Sequence, residues 1–237
     1  MLNEDHSVMN YQLIKVCGMR DAQNIREVAA LGVNLIGLIF YPKSPRYVES
    51  ISSDAGIIPD YSSLKEGSDP QDKQYKTVGV FVDDMPQNIV TAVYNYHLSY
   101  VQLHGDESPV MIDNLRRTLV PDIVPQIKII KAISVSSAED LKRCEPYEGH
   151  VDLFLFDTKC KGYGGSGQKY DWSVLEAYTG QTPFLLSGGI GLDDADRLRD
   201  FHHPQCVGID LNSKFETAPG MKDINLLQNF LHQLNKQ

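Results

Sequence analysis

The chain has 237 residues, a formal net charge of -9, 42% hydrophobic residues and 22% charged residues. This length accommodates one (β/α)8 barrel with a sizeable core, and the composition excludes disordered and fibrous chains. So acidic a chain has no overall field for nucleic acid, although a local site can still hold an anionic metabolite.

The N-terminal segment MLNEDHSVMNYQ is polar and acidic and lacks the basic start and apolar core of a signal peptide. No apolar run reaches the length of a membrane span. Cys17, Cys144, Cys160 and Cys206 are widely spaced with no CxxC pair. Neither a disulfide framework nor a zinc knuckle is signalled, and free thiols suit a reducing compartment. The expectation is a cytoplasmic protein with no membrane or nucleic-acid partner.

Eight short apolar runs follow along the chain: LIKVC (13–17), NLIGLIF (34–40), TVGVFV (77–82), YVQL (100–103), IKIIKAI (127–133), DLFLFD (152–157), PFLLS (183–187) and CVGIDL (206–211). They alternate little, as strands of a parallel sheet buried on both faces do. Helical patterns lie between them at 21–31, 86–96, 107–117, 136–144, 172–178, 192–200 and 222–235, with Asp21 and Asp193 as N-cap or first-turn acids. Repeated strand–helix alternation predicts an α/β fold, and eight strands favour a single (β/α)8 TIM barrel over residues 1–237. The rival is an open dinucleotide-binding sheet, which wants GxGxxG after the first strand; CGMRD does not fit. A polar tail at 1–11 and a Ser-, Asp- and Gly-rich stretch at about 52–75 stand outside the rhythm, the latter read as a short helix or a mobile insertion.

Functional residues of a barrel cluster just past the C-terminal ends of its strands. Cys17 ends the first strand, before a glycine that permits a tight turn. To act as a base its thiol needs a lowered pKa, from a nearby cation or a helix N-terminus; the bland alternative is a packed cysteine. Cys206, at a strand start, reads as packing. Asp157 ends the sixth strand, where desolvation raises a carboxyl toward general-acid use; the alternative is a structural cap on the next loop. GYGGSGQ at 162–168 points to mobility or close backbone approach to a ligand, although no Gly-Lys-Ser/Thr closes it as a Walker loop. Gly188-Gly189 after the seventh strand and Asn212-Ser213 after the eighth read as a phosphate cradle. Arg46, in the proline-stiffened YPKSPRYV, offers a planar fork for a carboxylate. His104 is either a donor or acceptor at the mouth or a structural histidine. Asp210 either accepts a sugar hydroxyl or braces the barrel mouth.

Together KVCGMRD, GLIFYPKSPRYV, VGVFVD, VQLHGDE, DTKCKGYGGSGQKYDW, LSGGI and GIDLNSKFETAPGMKD resemble, in order from about Lys15 to Asp223, the phosphoribosylanthranilate isomerase family of tryptophan biosynthesis. The resemblance implies an Amadori rearrangement of N-(5-phosphoribosyl)anthranilate to 1-(2-carboxyphenylamino)-1-deoxyribulose 5-phosphate. It makes Cys17 the general base and Asp157 the general acid. Arg46 would clasp the anthranilate carboxylate, His104 and Asp210 would line the site, and the Gly188-Gly189 and Asn212-Ser213 backbones would hold the phosphate. The substrate nitrogen serves as electron sink, so no metal or organic cofactor is expected. The expected partner is a phosphorylated small molecule, and the expected state a monomer or homodimer.

The chain departs from the family at two places. Lys214 follows Asn212-Ser213 where a Ser-Gly-type turn is usual, so a left-handed residue there would be strained, while the lysine would favour a phosphate charge. Cys160-Lys161 stands where glycines are favoured, which stiffens the start of the glycine-rich loop. Two other functions compete. The analogous barrel isomerase of histidine biosynthesis uses paired aspartates on a substrate with two phosphates; Cys17 and the single cradle speak against it. The other is a catalytically silent phosphate-binding barrel, against which the intact Cys17-Asp157 pair argues.

Overall fold

The computed structural model describes residues 11–49, 75–121, 123–158 and 171–236. The expected tail (except Tyr11), the insertion at 52–75 (except Tyr75), Cys160-Lys161 and the glycine-rich stretch 162–168 lie outside them.

Eight parallel strands form a closed barrel in sequence order: β1 (Leu13–Val16), β2 (Leu35–Ile39), β3 (Lys76–Phe81), β4 (Tyr100–Leu103), β5 (Lys128–Val135), β6 (Leu153–Thr158), β7 (Phe184–Ser187) and β8 (Cys206–Leu211). The ring closes where β1 pairs with β8, Lys15 opposite Asp210 and Val16 opposite Leu211. All eight expected strands are present. Alternation sorts their side chains between two buried layers. Leu35, Val78, Tyr100, Ile130, Leu153, Leu155 and Leu185 form the cluster that plugs the barrel. The intervening Ile129, Phe154, Phe156, Phe184 and Leu186 join the larger cluster formed with the surrounding helices. Phe156 and Phe184 lie 4.6 Å apart there, each edge-on to Tyr178.

Three of the described α-helices begin at side-chain caps, of which Asp21 is the expected one. Asp21 accepts the Asn24 N–H at the start of α1 (Ala22–Ala29). Ser108 does so for Met111 at α3 (Pro109–Leu119), and Asp223 for Leu226 at α5 (Ile224–Leu234). Such caps satisfy N–H groups that the helix leaves open. α2 (Pro86–Tyr96) opens on a proline instead and ends at His97, in the left-handed conformation.

Two expected α-helices form 3-10 helices. At Ala138–Tyr147 the Asp140 carboxylate gathers the N–H and hydroxyl groups of Ser136 and Ser137, which tightens the first turn, and Pro146 brings no N–H to the last. At Trp172–Ala177 the Asp171 cap closes on Ser173 and the chain turns extended at Tyr178. The expected helix at 192–200 divides into a 3-10 turn, Leu192–Asp194, and α4 (Ala195–Asp200). Asp193 sits in that first turn, while Asp194 receives the Gly191 N–H. After β8 comes a 3-10 turn, Ser213–Phe215, then a small hairpin of β9 (Glu216–Ala218) and β10 (Met221–Lys222). Lys222 therefore belongs to a strand, not to the last helix.

A buried ion pair outside the barrel fixes the loops after β3 and β4. Lys131 Nζ lies 3.1 Å from Glu107 Oε2, both side chains 2% exposed. Glu107 also accepts the N–H groups of Asp83 and Gly105, and Lys131 donates to the Gly105 carbonyl. The turn carrying His104 is thereby clamped from behind. Removing one member of a buried pair strands the other charge. Glu107→Ala should therefore cost about 3–5 kcal/mol of unfolding free energy, measured by urea denaturation; a loss under about 1 kcal/mol, as for an exposed pair, would contradict this role.

Candidate active site

The C-terminal mouth holds a cavity open to solvent. Its lining includes every site residue expected from the sequence except Arg46. Cys17 and Asp157 share this one cavity, on strands separated around the ring by β8 and β7.

Cys17 follows β1, and its N–H extends the barrel ladder to the Leu211 carbonyl at 2.9 Å. Gly37 on β2 makes room for the sulfur, because a Cβ there would lie 2.8 Å from Sγ. Beneath the sulfur, Lys15 is wholly buried, with Nζ 2.8 Å from Asp210 Oδ1. The second Asp210 oxygen accepts the Ser187 hydroxyl at 2.9 Å. With both oxygens engaged inside the protein, Asp210 braces the mouth.

The expectation of a lowered Cys17 pKa is not met. Burial pushes the thiol up; the Lys15 and Lys222 charges pull it down, while Asp210 adds to the rise. Burial wins, and the thiol lies above its ordinary value.

On the far wall Asp157 Oδ2 stands 3.9 Å from His104 Nε2, a gap too long for a direct hydrogen bond. Gln102, buried on β4, approaches His104 Nδ1 at 3.1 Å with its side-chain amide and holds the ring.

The expected cradle is also at the mouth. Gly188 (φ +104°) and Gly189 (φ +67°) both need left-handed backbone, and a Cβ on Gly188 would collide with the Thr158 carbonyl. Asn212 precedes the turn Ser213–Phe215, and its side-chain oxygen accepts from Lys222 at 2.9 Å. Lys214 lines the cavity, and its φ is not positive, so the strain expected at this departure is absent.

Arg46 stands beside the Cys17-Gly18 turn, its side chain filling the space over the Gly18 Cα. Its Nε and Nη2 grip Glu216, at 2.8 and 3.0 Å from Nε and 2.5 Å from Nη2. The outer edge of the fork, Nη1 with the second Nη2 hydrogen, is not used by that grip. Glu216 also accepts from Lys222 at 2.6 Å. Burial alone would raise the Glu216 carboxyl, but hydrogen bonds from Arg46 and Lys222 outweigh it and bring its pKa to about 2.

The match to a known family is direct. A family model described as N-(5'phosphoribosyl)anthranilate (PRA) isomerase covers residues 14–233. The chain belongs to this family. A relative from Parabacteroides distasonis, named N-(5'-phosphoribosyl)anthranilate isomerase, is 46% identical over 94% of this chain and 93% of its own. The phosphoribosyl anthranilate isomerase of Thermotoga maritima superposes with a TM-score of 0.71 at 30% identity, over 94% of this chain and 98% of its own; that protein is elsewhere described as dimeric. A further isomerase structure holds reduced 1-(o-carboxyphenylamino)-1-deoxyribulose 5-phosphate, with a TM-score of 0.68 and 29% identity over 94% of this chain and 97% of its own.

Lys15, Gln102, Ser187, Glu216 and Lys222 were not singled out from the sequence. For Lys15 a signal was available: a lysine inside an apolar run must find a buried partner. Glu216 and Lys222 carry no such mark, since Glu216 falls in a polar stretch and Lys222 at the start of an expected helix.

The Glu216 contacts predict a pH signature. Its folded pKa of about 2 lies below the unfolded value, about 4.3 for glutamate. The stability it adds is complete above the unfolded value and disappears as pH falls through the folded one. Glu216→Gln should therefore be less stable than wild type at pH 7, and the gap should narrow between about pH 4 and pH 2. Urea midpoints across that range measure it; a constant gap would rule the titration out.

Proposed function

We propose that this protein converts N-(5-phosphoribosyl)anthranilate to 1-(2-carboxyphenylamino)-1-deoxyribulose 5-phosphate, with Cys17 as general base and Asp157 as general acid. One observation carries the assignment: the sulfur and the carboxyl line opposite parts of one cavity that also contains the Gly188-Gly189 and Asn212-Ser213 turns. In a family of aldose–ketose isomerases, this arrangement supplies each group the rearrangement needs.

Asp157 delivers a proton to the furanose ring oxygen, the C1′–O bond breaks, and the nitrogen lone pair forms the Schiff base. Cys17, as thiolate, then takes the proton from C2′. The electrons move onto the nitrogen, and the resulting enaminol takes a proton at C1′ as its C2′ hydroxyl gives one up, which leaves the ketone and returns the acid and the base to their starting states. Acid and base on opposite sides of the sugar serve the two steps, with the sugar held between anchors at its two ends. The glycine turns and the Ser213–Phe215 turn offer backbone N–H groups to the phosphate, and Lys214 adds a positive charge at the rim. Arg46 receives the anthranilate carboxylate on its outer edge while Glu216 holds the inner one. His104 lines the site beside Asp157, and Asp210 acts from beneath through Lys15. A cytoplasmic location and a monomer or homodimer complete this reading. They are supported by the separate thiols, by the dimeric Thermotoga maritima relative and by the fact that no described helix is long and apolar enough to cross a membrane.

Purified protein should consume phosphoribosylanthranilate, followed by loss of its fluorescence, with a KM of roughly 1 μM to 1 mM. Cys17→Ala and Asp157→Asn should each lower kcat by about 100- to 10,000-fold while a reduced product analogue still binds. Near-normal turnover in either variant refutes the role of that residue. Arg46→Ala should act mainly on KM; unchanged affinity with depressed turnover would contradict the carboxylate clasp.

A further inference from the structure

Positions 15 and 17 face the barrel interior together, because side chains of a strand repeat every second residue. The interior below them is apolar, built from residues such as Leu35, Val78, Ile130 and Leu185. A lysine placed on such a floor is costly unless its charge is answered. Asp210 answers it from the neighbouring strand, directly opposite in register and 2.8 Å from Nζ. Ser187 occupies the other Asp210 oxygen, so the carboxylate cannot swing away without losing a second bond. An ammonium has three hydrogens to donate, and Asp210 takes one of them. The ammonium charge lies beneath the Cys17 thiol on the same face of β1 and favours the ionised sulfur.

We propose that Lys15 is a positioning residue for the reaction: tethered to Asp210 at the barrel seam, its buried ammonium lies beneath Cys17 on the same face of β1 and stabilises the thiolate. The inference rests on Cys17 being the base.

The surrounding charges fit this role. Lys222 approaches from β10 and Arg46 from the loop after β2; Glu216 of β9 joins these two, and Asp157 and His104 face the sulfur across the cavity. On the near side Lys15, Arg46 and Lys222 stand against Asp210 and Glu216. These groups sum to one positive charge while the sulfur keeps its proton, and to zero once the proton has left. Lys15 itself stays charged: burial works against its ammonium, and Asp210 and Cys17 outweigh burial. The sulfur is already difficult to ionise because it is buried. Without Lys15 the same burial would act with a weaker counterweight.

The consequence for catalysis is quantitative. The productive protein carries Cys17 as the thiolate. Below the thiol's pKa the thiolate share falls tenfold for each unit by which that pKa rises.

The test reads the thiol directly. The full-length protein is alkylated with iodoacetamide across a pH series, and the Cys17 peptide is followed by mass spectrometry to separate it from Cys144, Cys160 and Cys206. Lys15→Met should move the alkylation midpoint of Cys17 up by at least about one unit, with kcat/KM at neutral pH falling about tenfold or more. Lys15→Arg should recover part of both. Lys15→Met/Asp210→Asn removes the pair without leaving a bare buried carboxylate and serves if the single variant does not fold. Its midpoint should also rise, by less, because the opposing Asp210 charge is gone. A Cys17 midpoint unchanged in the folded variants would overturn the Lys15 role, even with Cys17→Ala inactive. An active Cys17→Ala protein, in contrast, would remove the base itself and leave the measured thiol shift standing as an electrostatic fact.

Discussion

The barrel closes at one seam, where β1 meets β8, and that seam carries a buried ion pair. Lys15 and Asp210 face each other across the ladder at 2.8 Å. Breaking a pair of this kind leaves a lone charge in an apolar interior, typically worth several kcal/mol. The pair thus couples closure of the ring to the placement of the site. One residue past β1 is Cys17; one residue past β8 is Asn212. The backbone bond from Cys17 to Leu211 continues the seam to the level of the cavity. The proposed base and half of the proposed phosphate cradle are therefore stem ends of the two strands that complete the ring.

A second network joins the two proposed anchors. Arg46 holds Glu216, Glu216 holds Lys222, and Lys222 reaches Asn212. Each of these bonds involves a charged group, the stronger class of hydrogen bond. The Asn24 side chain secures the Lys222 backbone in both directions. The guanidinium is consequently oriented before any ligand arrives, and the ordering of a long side chain does not fall on binding.

Much of the architecture was legible in the sequence for a simple reason. Strands covered on both faces must be apolar throughout, so LIGLI, LFLF and FLLS stand out from the amphipathic segments between them. Knowing the strand ends is then nearly equivalent to knowing the site, because the barrel brings those ends together; Cys17, His104, Asp157 and Gly188 meet in one cavity although they are distant in sequence. What the sequence hid is pairing. Lys15 and Lys131 both interrupt apolar strands, yet one points into the barrel and answers Asp210, while the other points outward and answers Glu107. Nothing in either strand alone distinguishes them. Glu107 reads as the start of a helix and is instead a loop clamp. The 3-10 turns at 138–147 and 172–177 follow from local side-chain bonds that a hydrophobic period does not register. The direction of the Cys17 pKa depended on weighing burial against two lysines, which requires knowing how deep the sulfur lies.

The interior of this barrel changes character along its axis. Below Lys15 it is aliphatic apart from Tyr100; at Lys15, Gln102, Ser187 and Asp210 it becomes a polar shelf; above that it opens to the cavity. The shelf insulates the two ends from each other. Substitutions in the aliphatic plug change how tightly the ring is filled without touching the groups at the mouth, and changes in the mouth loops leave the plug intact. Heat resistance and substrate preference can then be tuned by different parts of the chain, so that adaptation of one does not oblige adaptation of the other.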